Sequence, residues 1–163
     1  MSDDLYREVI LDHFKNPRHK GTLELCDIEA AGANPFCGDE IKVTVKIEGG
    51  AISGLRIAPQ GCAISQASAS MMADALEGKS LDLVDSRIAH FRAMMLGSDG
   101  GTGAWLDEME DLKSLEGVKK YPVRVKCALL AWNTLTEGLK EFRQKGAAGK
   151  VASEHIEKSG QDD

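Results

Sequence analysis

The chain has 163 residues, of which 42% are hydrophobic, and its formal net charge at pH 7 is −6. This size and apolar content predict a single domain with its own core, whereas the acidic balance argues against a nucleic-acid partner, because phosphate binding needs a basic face. The N-terminus lacks the apolar core of a secretory signal, and no run approaches the roughly 20 apolar residues that cross a bilayer, so we expect a cytoplasmic protein with no membrane partner.

The first half of the chain predicts one helix followed by extended segments. Apolar residues recur at helical spacing over residues 5–14, and Asn16-Pro17 ends the run. Alternating apolar and polar residues on both sides of Gly49-Gly50 predict a hairpin with one solvated face. The expected segments after the first helix are a strand at 23–28, a loop at 30–35 and hairpin strands at 41–47 and 52–57.

The second half of the chain predicts helices. Small residues favour a helix at 63–76, Ser80 caps a second helix that ends at Gly97, and a long third helix is expected at 124–143. The Gly-rich stretch 97–103 lacks the Gly-Lys-Ser/Thr ending of a phosphate-binding loop, and we interpret it as a flexible turn.

This order of elements predicts an α+β fold in which a small antiparallel sheet is packed on one face by helices. We assign residues 1–143 to this single domain. Beyond it the composition turns to Gly, Ala, Lys, Glu and Ser, so we expect residues 144–163 to be a flexible tail with at most a transient helix at 151–157.

Three of the four cysteines stand in a pattern that packing alone does not explain. Cys37-Gly38-Asp39 follows the expected loop, Cys62 opens the first helix of the second half, and Cys127 lies near the start of the long helix. Soft thiolates with one carboxylate, in a reducing compartment where disulfides are rare, are typical of a tetrahedral zinc or iron–sulfur site. We therefore predict a metal site at one end of the sheet, with Cys37, Asp39, Cys62 and Cys127 as ligands.

The surroundings of these residues favour ionised sulfur. If the backbone is extended, Cys37 and Asp39 project from the same face, and the free N–H groups at a helix start lower the pKa of a thiol such as Cys62. A set of three thiolates and a carboxylate around a divalent ion leaves two net negative charges, which nearby cations help to stabilise. Arg124 and Lys126, next to the last cysteine, are the candidates for that role.

Other interpretations stay open on the residues alone. Any single cysteine can be a small buried apolar residue, and this is the expectation for Cys26, which has no ligand spacing. A zinc hydrolase fits less well, because catalytic zinc usually keeps histidine ligands and a water, and three thiolates weaken the ion as a Lewis acid.

The motifs around the cysteines resemble the U-type iron–sulfur cluster assembly family. The resemblance runs from the first helix to about Phe142 and is carried by segments 34–39, 61–70 and 124–132. Lys126 stands where the scaffold branch of that family has a histidine. Together with an insert at about 97–119, this departure makes the chain similar to the SufU branch.

The resemblance implies zinc bound by Cys37, Asp39, Cys62 and Cys127, with Cys37 accepting sulfur as a persulfide. It also implies a SufS-type cysteine desulfurase and downstream cluster-assembly proteins as partners. The chain would then be a sulfurtransferase-like sulfur acceptor rather than an enzyme with ordinary turnover. Two alternatives remain: a scaffold that assembles a labile [2Fe–2S] cluster on the same ligands, and a module whose zinc is purely structural. Spacing does not choose Cys37 over Cys127 as acceptor.

Overall fold

The computed structural model describes residues 3–97, 109–145 and 149–158. It has an α+β fold, as the order of elements predicted, and the described strands form one sheet. The elements are, in chain order, α1 (Asp3–Lys15), β1 (Ile28–Asn34), β2 (Asp39–Glu48), β3 (Ala51–Gln60), α2 (Ala63–Leu76), α3 (Leu81–Met95), a 3₁₀ segment (Glu110–Lys120), α4 (Pro122–Lys145) and β4 (Val151–Ile156).

The sheet has the strand order β3-β2-β1-β4. The pairs β1/β2 and β2/β3 are antiparallel, as expected for consecutive strands joined by short turns. By contrast, β4 pairs with β1 in parallel, because the chain reaches β4 only after crossing over through the long helix α4. The sheet is therefore mixed, with a parallel edge strand added to the expected antiparallel part.

The position of the first strand differs from the prediction. We expected a strand at 23–28 and a loop at 30–35, but β1 runs over most of the expected loop. The helix α4 packs so closely on β1 that a Cβ on Gly32 would collide with Thr134, and one on Gly138 would collide with β1 side chains. The small residues that suggested a loop are those that this close helix–strand contact requires.

The C-terminal segment also differs from the prediction. Residues 149–158 lie in the expected flexible tail 144–163, yet they contain a strand instead of a transient helix. Val151 pairs with Ile28 and is buried. The reason is tertiary: the outer edge of β1 offers unpaired backbone groups, and a polar segment pairs with them although its own composition does not predict order.

The three helices predicted in the second half are confirmed. Helices α2 and α3 begin at Cys62 and Ser80, whose side chains accept hydrogen bonds from the backbone N–H groups three residues later. In the core, the rings of Phe91 and Trp132 stack with centroids 4.2 Å apart and join α3 to α4. The stacked rings join the two helices without using a cysteine, whereas the cap of α2 is supplied by Cys62.

Three polar residues, His13, Ser70 and Asp111, join α1, α2 and the 3₁₀ segment. We call them the His13 cluster. Nδ1 of His13 lies 2.8 Å from Ser70 Oγ, and Nε2 lies 2.7 Å from Asp111 Oδ2. Ser70 Oγ also accepts a hydrogen bond from the backbone N–H of Arg18 at 2.8 Å. The Ser70 hydroxyl can therefore donate to Nδ1 while Nε2–H donates to the carboxylate, so that donors and acceptors match.

Within the insert expected at about 97–119, the described part forms most of the 3₁₀ segment. The contact between His13 and Asp111 joins this segment to α1. The turn predicted at 97–103 falls, beyond Gly97, outside the described residues. Among the described helices, none combines the length and apolar character needed to span a bilayer.

Candidate metal centre

The turn between β1 and β2 presents Cys37 and Asp39. Its ends, Asn34 and Asp39, are paired in the β1/β2 ladder, and Gly38 has a φ of +72°, a conformation that glycine adopts without strain. Cys37 lies half-buried in the turn, whereas Asp39 is buried. A tight turn, and not the extended backbone that we assumed from spacing, therefore brings the two side chains to the same place.

Cys62 lies at the corner between β3 and α2. Its backbone N–H donates to Asp39 Oδ1 at 2.9 Å, and its Sγ accepts a hydrogen bond from the Ser65 N–H at 3.5 Å. The preceding Gly61 has a φ of +124°, and a Cβ there would overlap the Asp39 carboxylate. Gly61 thus lets this corner close over Asp39 and places the Cys62 sulfur beside it.

Cys127 reaches the same place from α4. It is fully buried, and its Sγ lies 3.7 Å from the carbonyl oxygen of Val123, one helical turn earlier. The close packing of α4 on β1 brings this sulfur next to Asn34, the last residue of β1. The helix start predicted from the sequence is correct, and the tertiary contact with β1 sets the position of the sulfur.

The structure brings three of the four predicted residues into one group and places the fourth, Cys62, beside Asp39. Cys37 Sγ, a carboxylate oxygen of Asp39 and Cys127 Sγ all lie within 4.8 Å of one another. Cys62 Sγ lies 3.9 Å from Asp39 Oδ2. We call these four residues the sulfur–carboxylate cluster. Cys26, which we expected to be a buried apolar residue, is half-buried and is not part of it.

Asn34 is a residue of this site that our reasoning about ligands missed. Its side chain is fully buried, and Nδ2 donates to Asp39 Oδ2 at 3.3 Å and to Cys127 Sγ at 3.6 Å. The Phe36 N–H donates to Asn34 Oδ1 at 3.3 Å, which fixes the orientation of the amide. The available signal was an amide residue directly before the Cys-Gly-Asp turn, but only the fold shows that its donors face two candidate ligands.

The two more deeply placed thiols differ in acidity. The neighbouring Cys127 side chain and the Ser65 backbone N–H lower the pKa of Cys62 to about 6, although burial opposes this shift. The same contact with the Cys62 sulfur, together with burial, raises the pKa of Cys127. The contact between the two sulfurs therefore favours a thiolate stabilised by the neighbouring thiol, with ionisation favoured at Cys62 and opposed at Cys127.

The two predicted neighbouring cations lie in different directions. Arg124 is exposed at the site, and the Cys127 sulfur beside its guanidinium, followed by the charge of Cys62, raises the pKa of Arg124. Lys126 instead donates from Nζ to the backbone carbonyl of Lys158 at 2.8 Å, beyond the end of β4. Arg124 is thus placed to offset negative charge in the cluster, while Lys126 contacts the C-terminal segment.

An open groove of about 750 Å³ gives access to the cluster. Large apolar side chains are exposed at its edge, including Phe36 at 52% and Tyr121 at 62%. The groove is lined by Cys37, Lys120, Tyr121, Pro122, Val123 and Arg124. Of the four cluster residues, Cys37 is the one that lines this groove, so its sulfur is the one best placed to meet a reagent or partner from solvent.

Comparisons with known proteins agree with the motifs. The model of the NifU-like N terminal domain family matches residues 5–128. The zinc-dependent sulfurtransferase SufU of Bacillus subtilis is 42% identical over 137 residues, which cover 84% of this chain and 90% of that protein. The iron–sulfur cluster assembly scaffold protein IscU of Streptococcus pyogenes serotype M1 is 42% identical over 137 residues, which cover 83% of this chain and 83% of that protein.

A solved structure extends this similarity to the fold. The iron–sulfur cluster assembly scaffold protein for the SUF system from Fervidobacterium islandicum AW-1 has a TM-score of 0.75 at 32% identity, covering 85% of this chain and 99% of that one. The family match includes every residue of the sulfur–carboxylate cluster, from the β1–β2 turn to the start of α4. On sequence and structure, the chain belongs to the family of NifU-like N-terminal domains, the U-type proteins of iron–sulfur cluster assembly.

Proposed function

We propose that this protein accepts persulfide sulfur from a cysteine desulfurase of the SufS type, in the cytoplasm, at a zinc site formed by Cys37, Asp39, Cys62 and Cys127. The observation that carries the proposal is the convergence of these four side chains from the β1–β2 turn, the β3–α2 corner and α4. The name of the Bacillus subtilis relative, a zinc-dependent sulfurtransferase, supports this choice among the functions of the family.

The donor set fits zinc in chemistry and in size. Zn–S bonds of about 2.3 Å and Zn–O bonds of about 2.0 Å give tetrahedral edges of about 3.8 Å between sulfurs and about 3.5 Å between sulfur and oxygen. The distance of 3.9 Å between Cys62 Sγ and Asp39 Oδ2 is close to the edge expected between sulfur and oxygen. The donor atoms of Cys37, Asp39 and Cys127 lie within 4.8 Å of one another, so their separations would have to shorten by at most about 1 Å. Binding of a common ion would need the donor atoms to move closer together, including Cys62 Sγ, which lies outside the three-residue group.

The charges also fit a divalent cation. The residues described around the cluster donate few hydrogen bonds to it, chiefly from the Asn34 amide and the backbone N–H groups of Cys62 and Ser65. When bound, Zn²⁺ keeps its ligand sulfurs ionised. Arg124, at the rim, reduces the remaining negative charge of a complex with three thiolates and a carboxylate.

In the proposed step, the partner docks and the Cys37 thiolate attacks the terminal sulfur of the partner's persulfide. The S–S bond of the persulfide breaks, the partner's cysteine leaves as a thiolate, and the terminal sulfur with its proton is now bonded to Cys37. No oxidant or reductant is consumed. This is thiol–disulfide exchange chemistry, whose rate depends on the thiolate fraction and on access. Cys37 has this access because it lines the open groove.

The exposed surface around the groove suits a docking partner. Phe36, Tyr121 and Val123 expose large apolar area next to Cys37, at 52%, 62% and 59% of their maximum. Exposed apolar side chains that cluster around a reactive group mark an interaction site more often than isolated ones do. A desulfurase that covers this patch would exclude water from the reacting sulfurs and bring its persulfide to Cys37.

The test is mass spectrometry after incubation with a SufS-type desulfurase and cysteine. We expect a +32 Da sulfur adduct, the mass of one sulfur atom, on the peptide that contains Cys37. Cys37→Ala should fold, because the helix core does not use this turn, but should lose the adduct and any stimulation of the desulfurase. Cys26→Ala, which removes a cysteine outside the cluster, is the matched control. An adduct on Cys127, or none in the wild type, would contradict the proposal.

A second function, assembly of a labile [2Fe–2S] cluster on the same four ligands, is favoured by one observation. The Streptococcus pyogenes relative, equally identical to this chain, is named a scaffold protein. Anaerobic reconstitution with iron and sulfide separates the two functions. A stoichiometric cluster that passes to an apo-acceptor would support the scaffold, whereas zinc in the purified protein that persists through reconstitution would support the sulfur acceptor.

A further inference from the structure

The strand β4 lies outside the part of the chain that the family model matches, which ends at residue 128. It pairs with β1 at the edge of the sheet and packs against α4, and these two elements carry Asn34 and Cys127 to the metal centre. Because β4 runs parallel to β1, its end lies at the same end of the sheet as the sulfur–carboxylate cluster.

On the β1 side, the contact is a continuation of the strand ladder. Ile156 pairs with Ala33, and the Glu157 N–H donates to the Ala33 carbonyl at 2.9 Å. Ala33 directly precedes Asn34, whose amide donates to Asp39 and Cys127. The backbone of β1 is therefore hydrogen-bonded to the C-terminal segment one residue before Asn34.

On the α4 side, the contact is made by buried polar groups. Asn133 Nδ2 donates to Glu157 Oε2 at 2.9 Å, and Arg92 donates to the Asn133 amide oxygen. His155 Nε2 lies 2.7 Å from the same Glu157 oxygen. Glu157 is 8% exposed, and Asn133 is also buried. Loss of the Glu157 carboxylate would therefore leave the Asn133 amide N–H on α4 without this acceptor.

A third contact lies next to the cluster itself. Lys126 Nζ donates to the Lys158 carbonyl at 2.8 Å, and Lys126 directly precedes Cys127. Lys126 and Asn133 are seven residues apart on α4, which is two helical turns, so both contacts are made by one face of the helix. The first half of α4 is thus hydrogen-bonded at two positions to the residues that directly follow β4.

We propose that β4 and the residues after it position the metal centre: they tie the end of β1 to the start of α4, and thereby set how firmly Asn34 and Cys127 hold a metal ion. The inference rests on the proposed metal site, but it assigns a role to a segment that the family match does not include. Glu157 is a positioning residue, because it acts through the Asn133 contact on α4 and the Ala33 contact on β1 and touches no ligand itself.

The experiment compares Glu157→Ala with Glu154→Ala in the full chain. Glu154 is a matched control, because it is an exposed glutamate on the same strand. In zinc-loaded protein, we expect Glu157→Ala to transfer zinc to a chromogenic chelator about tenfold faster, within the range for residues that orient ligands. Glu154→Ala should release zinc at the wild-type rate. Glu157→Gln, which can still accept from Asn133, should recover much of the retention.

A second measurement is independent of bound metal. In metal-free protein well below its unfolding temperature, Cys127 alkylation is followed by mass spectrometry, with Cys26 as the internal reference. We expect Cys127 to react several-fold faster in Glu157→Ala only. Wild-type zinc release together with wild-type Cys127 protection in this variant would overturn the inference, even if its melting temperature fell. If the wild type bound no zinc, the proposed function would fail, and the alkylation result would still decide whether β4 positions Cys127.

Discussion

Two clusters of polar and sulfur-bearing side chains in this protein each join several elements, and they differ in the atoms that they bring together. In the His13 cluster, a histidine, a hydroxyl and a carboxylate match donor to acceptor at 2.7 to 2.8 Å, so the cluster is complete within the chain. In the sulfur–carboxylate cluster, three sulfurs and a carboxylate lie close together, and the donors to Asp39 are the Asn34 amide and the Cys62 backbone N–H. The first arrangement stabilises the fold, whereas the second has the donor set of a candidate metal site, whose negative charge a cation would balance.

The comparison shows how a buried polar group can be assigned a role. His13, Ser70 and Asp111 have the residue types of a catalytic triad, but the Ser70 hydroxyl is fully buried and already accepts from the Arg18 N–H. It is therefore not available to a substrate. Cys37, by contrast, lines an open groove. Access from solvent, rather than residue types, separates the candidate site from the structural cluster.

The largest effect is expected from removing a ligand that is also buried. Cys127→Ala should weaken zinc binding by more than about 100-fold, the upper range for merely orienting residues, because one of the four donors is lost. The fold should persist, since cysteine and alanine are similar in size and the core contacts of α4 remain. Zinc content after dialysis against a chelator measures this, with circular dichroism as the check on folding. Full zinc retention would show that the four residues do not act together.

The opposite pattern is expected at the His13 cluster. His13→Ala should lower the free energy of unfolding by about 2–3 kcal/mol, because it leaves a buried hydroxyl and a cavity and frees the 3₁₀ segment from α1. Zinc affinity of the folded protein should be unchanged. Denaturant unfolding of the metal-free variant, followed by zinc titration under native conditions, measures both quantities. Loss of zinc binding without loss of stability would break the distinction between the two groups.

A smaller effect on zinc is expected at Asn34, the residue that orients two ligands. Asn34→Leu should weaken zinc binding by about 10–100-fold, since Asp39 and Cys127 lose their shared donor. Asn16→Leu, at an exposed amide that contacts only Asp12 among the described side chains, is the control and should bind zinc normally. Competition with a chelator of known affinity measures the difference. Equal affinities would mean that the ligands orient themselves without Asn34.

The finest distinction concerns the two neighbouring thiols. In metal-free protein, alkylation of Cys62 should rise with pH and reach half of its plateau near pH 6, because the thiolate forms above its pKa of about 6. Cys127 should stay largely unreacted through neutral pH, because its pKa is raised. Iodoacetamide labelling at several pH values, read out by mass spectrometry, compares the two residues. A Cys62 midpoint above pH 8 would show that the Cys127 contact does not stabilise its thiolate.

Much of the fold could be read from local patterns. The β2–β3 hairpin and helices α2, α3 and α4 follow from alternation, caps and helical spacing, each of which is set by neighbouring residues. The errors arose where distant contacts override composition. The small residues of β1 form a strand because α4 packs on them, and the polar residues of β4 form a strand because the edge of β1 is open to them.

The sequence by itself determined a candidate ligand set: the motifs single out Cys37, Asp39, Cys62 and Cys127, because thiolates combined with a carboxylate are typical of metal sites. Only the tertiary structure decided how they meet. The turn at Gly38, the corner at Gly61 and the packing of α4 against β1 bring Cys37, Asp39 and Cys127 within 4.8 Å of one another and Cys62 Sγ to 3.9 Å from Asp39. Spacing along a chain fixes local direction, whereas distances between remote residues depend on how the elements pack.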